Sequence, residues 1–461
     1  MRARRRSIYR DVTVKVPSDP AAARLPRWRR GLLALRDSRP RDRVVLLMAY
    51  VVRLLTDAIV GLVKTLVFNK AFLRGWIWVL KGRVEFFGYS SSIGDMALSV
   101  EYYLLRKREL KSRLISVYLV NKPSLANYYF ATLQADAFGS RRVLFVLNRF
   151  LCRVLEPLEH PLFFAPQTHI DSRYPSGYSA LISRYNVHLE RRVPASDRCL
   201  AREWMETLGL PRDANFVTVH VREAGFKAHF HTDGHNTFRD ADIATYLPAI
   251  RYLIQQGFWV IRMGESTVKP LPAMDRAIDY ARSPLKSDFL DVVLLAECEL
   301  LIGSASGLAM VADVFNKPQL FANGIVIYGL PYRPSALWIP KLIWSHPEHR
   351  YLTLAEIIER GIGEFHRTQD YTAAGLEVHD NSAEEILEAT QELDQRTRGQ
   401  FSSSPEIRAI QQAAQRLLPL HYLSHGTQAV LCASFIRRHP ELCPAPQSSA
   451  PLAMPLAVDS R

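Results

Sequence analysis

Residues 216 to 240 read FVTVHVREAGFKAHFHTDGHNTFRD. Phe216, Val217, Val219 and Val221 form the short apolar, β-branched run of a strand buried in a parallel sheet. The stretch then supplies His220, Arg222, Glu223, His229, His231, Asp233, His235, Asn236, Arg239 and Asp240, groups that carry protons, bind metals or hold phosphates. Two other apolar runs end in polar sequence: RMGE at 262–265, which contains Gly264, and GSASG at 303–307. In the second, Gly303, Ser304, Ser306 and Gly307 lie between a strand and a helix start. Backbone N–H groups, two hydroxyls and the helix dipole favour an anion there; helix capping by Ser304 or Ser306 is the plainer role. Arg222 has the forked donor geometry that suits a phosphate. An ion pair with Glu223 or Asp240 is its structural alternative.

His229, His231 and His235 are closely spaced, yet they sit in a loop rich in Gly, Lys and Thr with no HExxH pattern and no Cys partner, so no metal site is expected. The triplet DAD at 240–242 matches the DxD of metal-dependent sugar transferases, but it stands where a helix begins, and N-capping explains it as well.

The elements that must position these groups alternate. Strands are expected at 84–87, 114–120 and 142–148, with a turn at 90–94 and a helix from Met96 carrying Met96, Val100, Tyr103 and Leu104 on one face. Farther on, strand 216–222 leads through the polar loop to a helix whose apolar stripe is Ile243, Tyr246, Leu247, Ile250, Leu253 and Ile254, stopped by Gly257. Strand 258–264, helix DFLDVVLLAECE, strand LLIGS, helix SGLAMVADVFN and strand PQLFAN follow. This order specifies a doubly wound α/β sheet with ligands at the carboxyl ends of its strands. No internal repeat is present.

The net charge is +14, and residues 1–81 hold 19 Lys and Arg against 5 Asp, which is 19 − 5 = +14. The remaining residues balance, so a basic groove for nucleic acid is not implied. Within the basic segment Arg53, Asp57 and Lys64 interrupt every apolar run before the roughly 20 residues a spanning helix needs. No signal-peptide cleavage pattern follows it. Apolar bulk, scattered positive charge and Trp76 and Trp78 suit an interfacial helix on an anionic leaflet; a helix buried on the domain is the alternative. Five cysteines (Cys152, Cys199, Cys298, Cys432, Cys443) without CxxC spacing suggest reduced thiols in a cytoplasmic protein.

The block from VHVREAGF through HNTFRDADIATYLPAI, GFWVIRMGE and LLIGSASGL resembles a family of bacterial glycosyltransferases that share HVRE, HN…RD and GSxSGL motifs. The likeness spans roughly residues 84 to 345, specific in the second half and loose in the first, with an echo at ASFIRRHPELC. More distantly, HVR followed by a Ser-rich turn is similar to fucosyltransferases of the GT-B fold. The resemblance implies two Rossmann-like domains facing a cleft and sugar transfer from a nucleotide-sugar to a hydroxyl of a surface polysaccharide or lipid-linked glycan, without metal or cofactor. Arg222 would neutralise the donor diphosphate and Ser304 and Ser306 would hydrogen-bond it, with His220, His235, Asn236, Arg239, Gly264, Gly303 and Gly307 completing the donor pocket. Asp95 stands where many relatives have His. The base is sought among Asp95, Glu101, His220 and Glu223; a group on the Gly-containing loop of the first domain reaches an acceptor best, which favours Asp95. The candidate catalytic residues are Asp95, Arg222 and Glu223.

The expected organisation is a basic amphipathic segment (1–81), an acceptor domain (82–195), a donor domain (196–365), a helical C-terminal extension (366–442) and a disordered tail (443–461). The expected location is the inner face of the cytoplasmic membrane. Two other functions fit the same residues: a non-catalytic, membrane-associated glycan- or nucleotide-binding protein of this fold, and a metal-dependent hydrolase built on the three loop histidines.

Overall fold

The structure is a computed structural model. It describes residues 48, 51–52, 55–62, 84–87, 92–98, 100–101, 115–119, 125–137, 143–146, 192–223, 237–265, 269–325 and 327–444. The loop holding His229, His231, His235 and Asn236 and the expected C-terminal tail beyond residue 444 lie outside these. The chain divides into two compact units, Met1–Gly82 with Phe150–Pro157, and Arg83–Arg149 with Leu158–Arg461.

In the first unit, residues 48, 51–52 and 55–62 are helical. Met48, Val52, Leu55, Ile59 and Leu62 are each more than half exposed, whereas Val60 is buried. Their spacing of four, three, four and three residues puts them on one helical face. Among the described residues no helix is long and apolar enough to cross a membrane.

The second unit is α/β, with two parallel sheets. Strands β1 (Val84–Phe87), β2 (Ile115–Leu119) and β3 (Val143–Val146) pair in parallel in the order β1-β2-β3. A larger sheet is built from β4 (Phe216–His220), β5 (Trp259–Arg262), β6 (Ala277–Ile278), β7 (Leu301–Gly303), β8 (Gln319–Gly324), β9 (Ala336–Pro340) and a short strand at Val430–Leu431. All its neighbours pair in parallel, in the order Val430–Leu431, β9-β8-β7-β4-β5-β6. The order runs outward in both directions from β4 and β7, so the sheet reverses between them, as in doubly wound nucleotide-binding sheets. β4 is buried along its whole length, as a central strand covered on both faces must be. This parallel α/β architecture is the fold class expected from the sequence.

Helices α1 (Tyr128–Ala137), α2 (Ala195–Thr207), α3 (Ile243–Gln255), α4 (Asp288–Glu297) and α5 (Gly307–Val314) cover the sheets. Ile243, Tyr246, Ala249, Ile250 and Leu253 form the buried face of α3, close to the stripe read from its periodicity. α1, which lies between β2 and β3 in the chain, packs directly on elements that cover the larger sheet. Tyr128 N donates to Asp288 Oδ2 at 2.7 Å, Asn127 Nδ2 donates to the Asp288 carbonyl at 2.9 Å, and the Phe130 and Phe315 rings are 6.4 Å apart.

Beyond residue 365 the chain carries helices, among them α6 (Ala383–Thr397) and α7 (Pro405–Arg416), and also two strands. Leu376–His379 lies in a small antiparallel sheet with Leu342–Ser345 and Arg350–Tyr351, and Val430–Leu431 extends the large sheet. Neither strand was legible, since two to four residues carry no measurable period.

Candidate ligand site at the strand ends

The carboxyl ends of β4 and β7 lie side by side at the point where the strand order reverses. His220 and Gly303 are register partners, and Ser304 N donates to the His220 carbonyl at 3.1 Å. One residue on, Arg222 N donates to Ser304 Oγ at 2.9 Å. HVRE and GSASG are therefore stitched together. A Cβ on Gly303 would stand 3.2 Å from the His220 carbonyl oxygen, which explains glycine there.

The two serines differ. Ser304 is fully buried and spends its hydroxyl on the Arg222 backbone. Ser306 occupies the N-cap position of α5 with extended backbone (φ −144°, ψ 163°), yet its hydroxyl makes no capping bond and has no hydrogen-bond partner among the described residues. The orphan N–H groups of the first turn of α5 are thus not capped by it. The capping role weighed for these serines is made by neither side chain.

Arg222, with its side chain 11% exposed, donates through Nε to Asp240 Oδ1 at 2.9 Å. Of the two ion pairs considered for it, the one with Asp240 forms. Arg239 donates through Nη2 to the Ala305 carbonyl at 2.8 Å, and Ala241 N donates to the Arg222 carbonyl at 2.8 Å. The segment TFRDA is thereby fixed across both strand ends. Asp242 accepts from Ala244 N as the N-cap of α3 and from Lys269 Nζ at 2.6 Å, so both carboxylates of DAD are engaged in the fold. Among the described residues no group of three or more His, Cys, Asp or Glu is arranged to hold a metal ion.

Glu223 is enclosed. Its carboxylate accepts from Arg262 Nη2, and Arg262, buried in β5, also reaches Asp279 Oδ1 at 3.3 Å. Burial raises the Glu223 pKa and the Arg262 guanidinium opposes that rise. Glu223, a candidate catalytic residue, is thus the ion-pair partner of Arg262. The signal was present in the sequence: an Arg inside the apolar strand FWVIR requires a carboxylate.

His220 is 9% exposed and stands near Gly264, where the φ of 137° favours glycine. Desolvation, then the charges of Lys286, Arg262 and Arg222, push its pKa down to about 3. The ring is a neutral imidazole at physiological pH, and its Nδ1 has no partner among the described residues. Three cations stand around this strand end, each paired with at least one carboxylate. Lys286, which bonds Asp291 at 2.8 Å, was not anticipated from the sequence.

Helical residues 93–98 come to this place. A Cβ on Gly94 would lie 2.8 Å from Gly307 Cα, so the start of helical residues 93–98 abuts the start of α5. Asp95, half-buried, is the next residue. Glu101, by contrast, is only 1% exposed. A cavity of about 500 Å³ lies elsewhere, between α6 and the Ala433–Arg438 helix.

No family model matches the chain, and no curated protein matches it. Solved structures do. The E. coli ADP-heptose LPS heptosyltransferase II aligns at 14% identity and a TM-score of 0.36, over 56% of this chain and 90% of its own. A family 9 glycosyl transferase from Veillonella parvula aligns at 12% identity and a TM-score of 0.36, over 68% and 97%. The iron-containing dodecameric glycosyltransferase TibC of enterotoxigenic E. coli aligns at 15% identity and a TM-score of 0.27, over 55% and 61%.

Proposed function

We propose that this chain is a glycosyltransferase of GT-B type that moves a sugar from a nucleotide-sugar donor to a hydroxyl of a surface polysaccharide or lipid-linked glycan. The observation that carries the reading is the meeting, at the reversal point of a doubly wound sheet, of the Arg222 turn with a helix start whose N-cap hydroxyl, Ser306, has no partner among the described residues. Such a place suits a diphosphate: α5 offers N–H groups and its positive dipole end, and Arg222 offers a guanidinium.

In this reading the acceptor hydroxyl attacks the anomeric carbon, the bond from that carbon to the diphosphate oxygen breaks, and the diphosphate leaves with its charge held by fixed donors. Donors preset for developing charge are worth several kcal/mol of barrier. Asp95, beside the Gly94–Gly307 contact, is the proposed acceptor of the hydroxyl proton. His220, being neutral, serves as a hydrogen-bonding group to the donor and supplies no charge. His235, Asn236 and Arg239 are assigned to the loop that covers the sugar.

The exposed apolar face of residues 48–62 and the +14 carried by residues 1–81 support a peripheral position on an anionic membrane surface, where lipid-linked acceptors and cytosolic donors meet.

The test is transfer or donor hydrolysis measured over a panel of nucleotide-sugars, with and without chelator. One donor is expected to turn over equally in both conditions, and Arg222→Ala to reduce its turnover by about 100-fold or more, as for loss of one charge-stabilising donor. Saturable donor binding without any turnover would make the protein a binding module, and loss of turnover in chelator would return a metal to the mechanism.

A further inference from the structure

Arg222 is held by more than its neighbour in the ion pair. Lys341, at the end of β9, is almost entirely buried, and its ammonium donates to two oxygens: the main-chain carbonyl of Asp240 at 2.6 Å and Asp380 Oδ1 at 2.6 Å. Asp240 is the residue whose carboxylate receives Arg222 Nε. Asp380 is fixed in turn by the next residue. Asn381 and Asn323 exchange bonds, each main-chain N–H donating to the other's side-chain oxygen at 2.7 Å, and Asn381 Nδ2 donates to the Pro340 carbonyl at 2.8 Å. A chain of contacts thus runs from the ends of β8 and β9 through Asp380, Lys341 and Asp240 to the Arg222 guanidinium.

We propose that Lys341 and Asp380 are positioning residues for Arg222, acting through Asp240; the inference rests on the nucleotide-sugar reading above. The guanidinium is planar, so a bond at Nε sets the direction in which its Nη edge points. That direction depends on where Asp240 sits, and Asp240 sits where Lys341 holds its carbonyl. A buried ammonium is costly to desolvate, and an apolar side chain would fill the same space without that cost. A lysine here is explained by the two oxygens it must hold. Pre-aiming the fork removes ordering cost when a diphosphate arrives. The segment beyond residue 365 therefore contributes to the donor site through Asp380, without touching the donor.

The distinguishing readout is selectivity between diphosphate and monophosphate. Titration calorimetry on the full chain with ADP, GDP, UDP and CDP identifies the nucleoside, and its monophosphate is the control. Asp380→Asn, a change at a partly exposed side chain, is expected to weaken the nucleoside diphosphate about 10-fold and to leave the monophosphate within about twofold, a difference of about 1.4 kcal/mol in one ligand alone. Lys341→Met is expected to do the same, and Asp380→Glu, which keeps the carboxylate, to retain the wild-type ratio. Urea midpoints establish that each variant is folded. Equal losses for both ligands, or no loss in folded Asp380→Asn, overturn the positioning role. If the wild-type chain binds none of the four diphosphates, the nucleotide reading itself fails and the inference falls with it.

Discussion

Replacing Gly307 with alanine places a Cβ 2.8 Å from the Gly94 nitrogen, 2.9 Å from Ile93 Cγ2 and 3.3 Å from Gly94 Cα. The isoleucine methyl can turn away; the Gly94 backbone cannot, so the two helix starts must separate by several tenths of an ångström. Overpacking of this kind costs about 1–3 kcal/mol. Against it stands about 0.5–1 kcal/mol gained by alanine over glycine in a helix, leaving a net loss centred on about 1 kcal/mol and reaching about 2.5 kcal/mol at most. Gly94→Ala strikes the same contact from the other side, its Cβ 2.8 Å from Gly307 Cα. Once either substitution has separated the segments, the second meets a contact already opened. The double variant is therefore expected to lose less than the sum of the singles, with a coupling of about 1 kcal/mol. Urea denaturation followed by far-ultraviolet circular dichroism measures all four corners of the cycle. Singles within about 0.5 kcal/mol of wild type, or strictly additive losses, would show that the two turns do not meet as described.

Three further outcomes are expected. Glu223→Ala leaves the buried Arg262 with Asp279 as its remaining carboxylate and should cost up to about 3 kcal/mol of stability, whereas Glu223→Gln, measured on folded protein, should keep turnover within a few-fold; a large loss of turnover in a fully stable Gln variant would give Glu223 a catalytic role. Asp313 in α5 is fully buried, and desolvation raises its pKa to about 7, above the roughly 3.9 of an unfolded aspartate. The folded state then binds this proton more tightly, so its contribution to stability is present at low pH and lost as pH rises from about 4 to 7. Asp313→Asn should remove on the order of 2 kcal/mol of that decline between pH 5 and 8 in urea titrations, and an unchanged pH profile would refute it. Leu55→Asp together with Ile59→Asp should abolish flotation of the full chain with anionic vesicles at low salt; retained flotation would remove the apolar face from the membrane contact.

Legibility followed the range of the physics. Apolar runs bounded by turn residues located β4, β5 and β7, because a buried parallel strand must be apolar on both faces. Polar residues at their ends marked where a ligand would sit. The position of the +14 is a property of the chain alone. Partner choice was different: two carboxylates lay within reach of Arg222 in the sequence, and only the strand register and the path of residues 237–241 gave it Asp240 while Arg262 took Glu223. The charge state of His220 could not be read locally, since it depends on desolvation and on cations brought in from β5 and from the loop before α4. The contact of Gly94 with Gly307 and the reach of Asp380 into the strand ends join segments far apart in the chain, and no local period encodes such a meeting. The sequence by itself determined which elements form and which of their ends are polar, because those follow from each segment's own hydrophobic pattern. Tertiary structure alone decided which charges pair, which stay neutral and which turns touch, because these depend on distances that only packing sets.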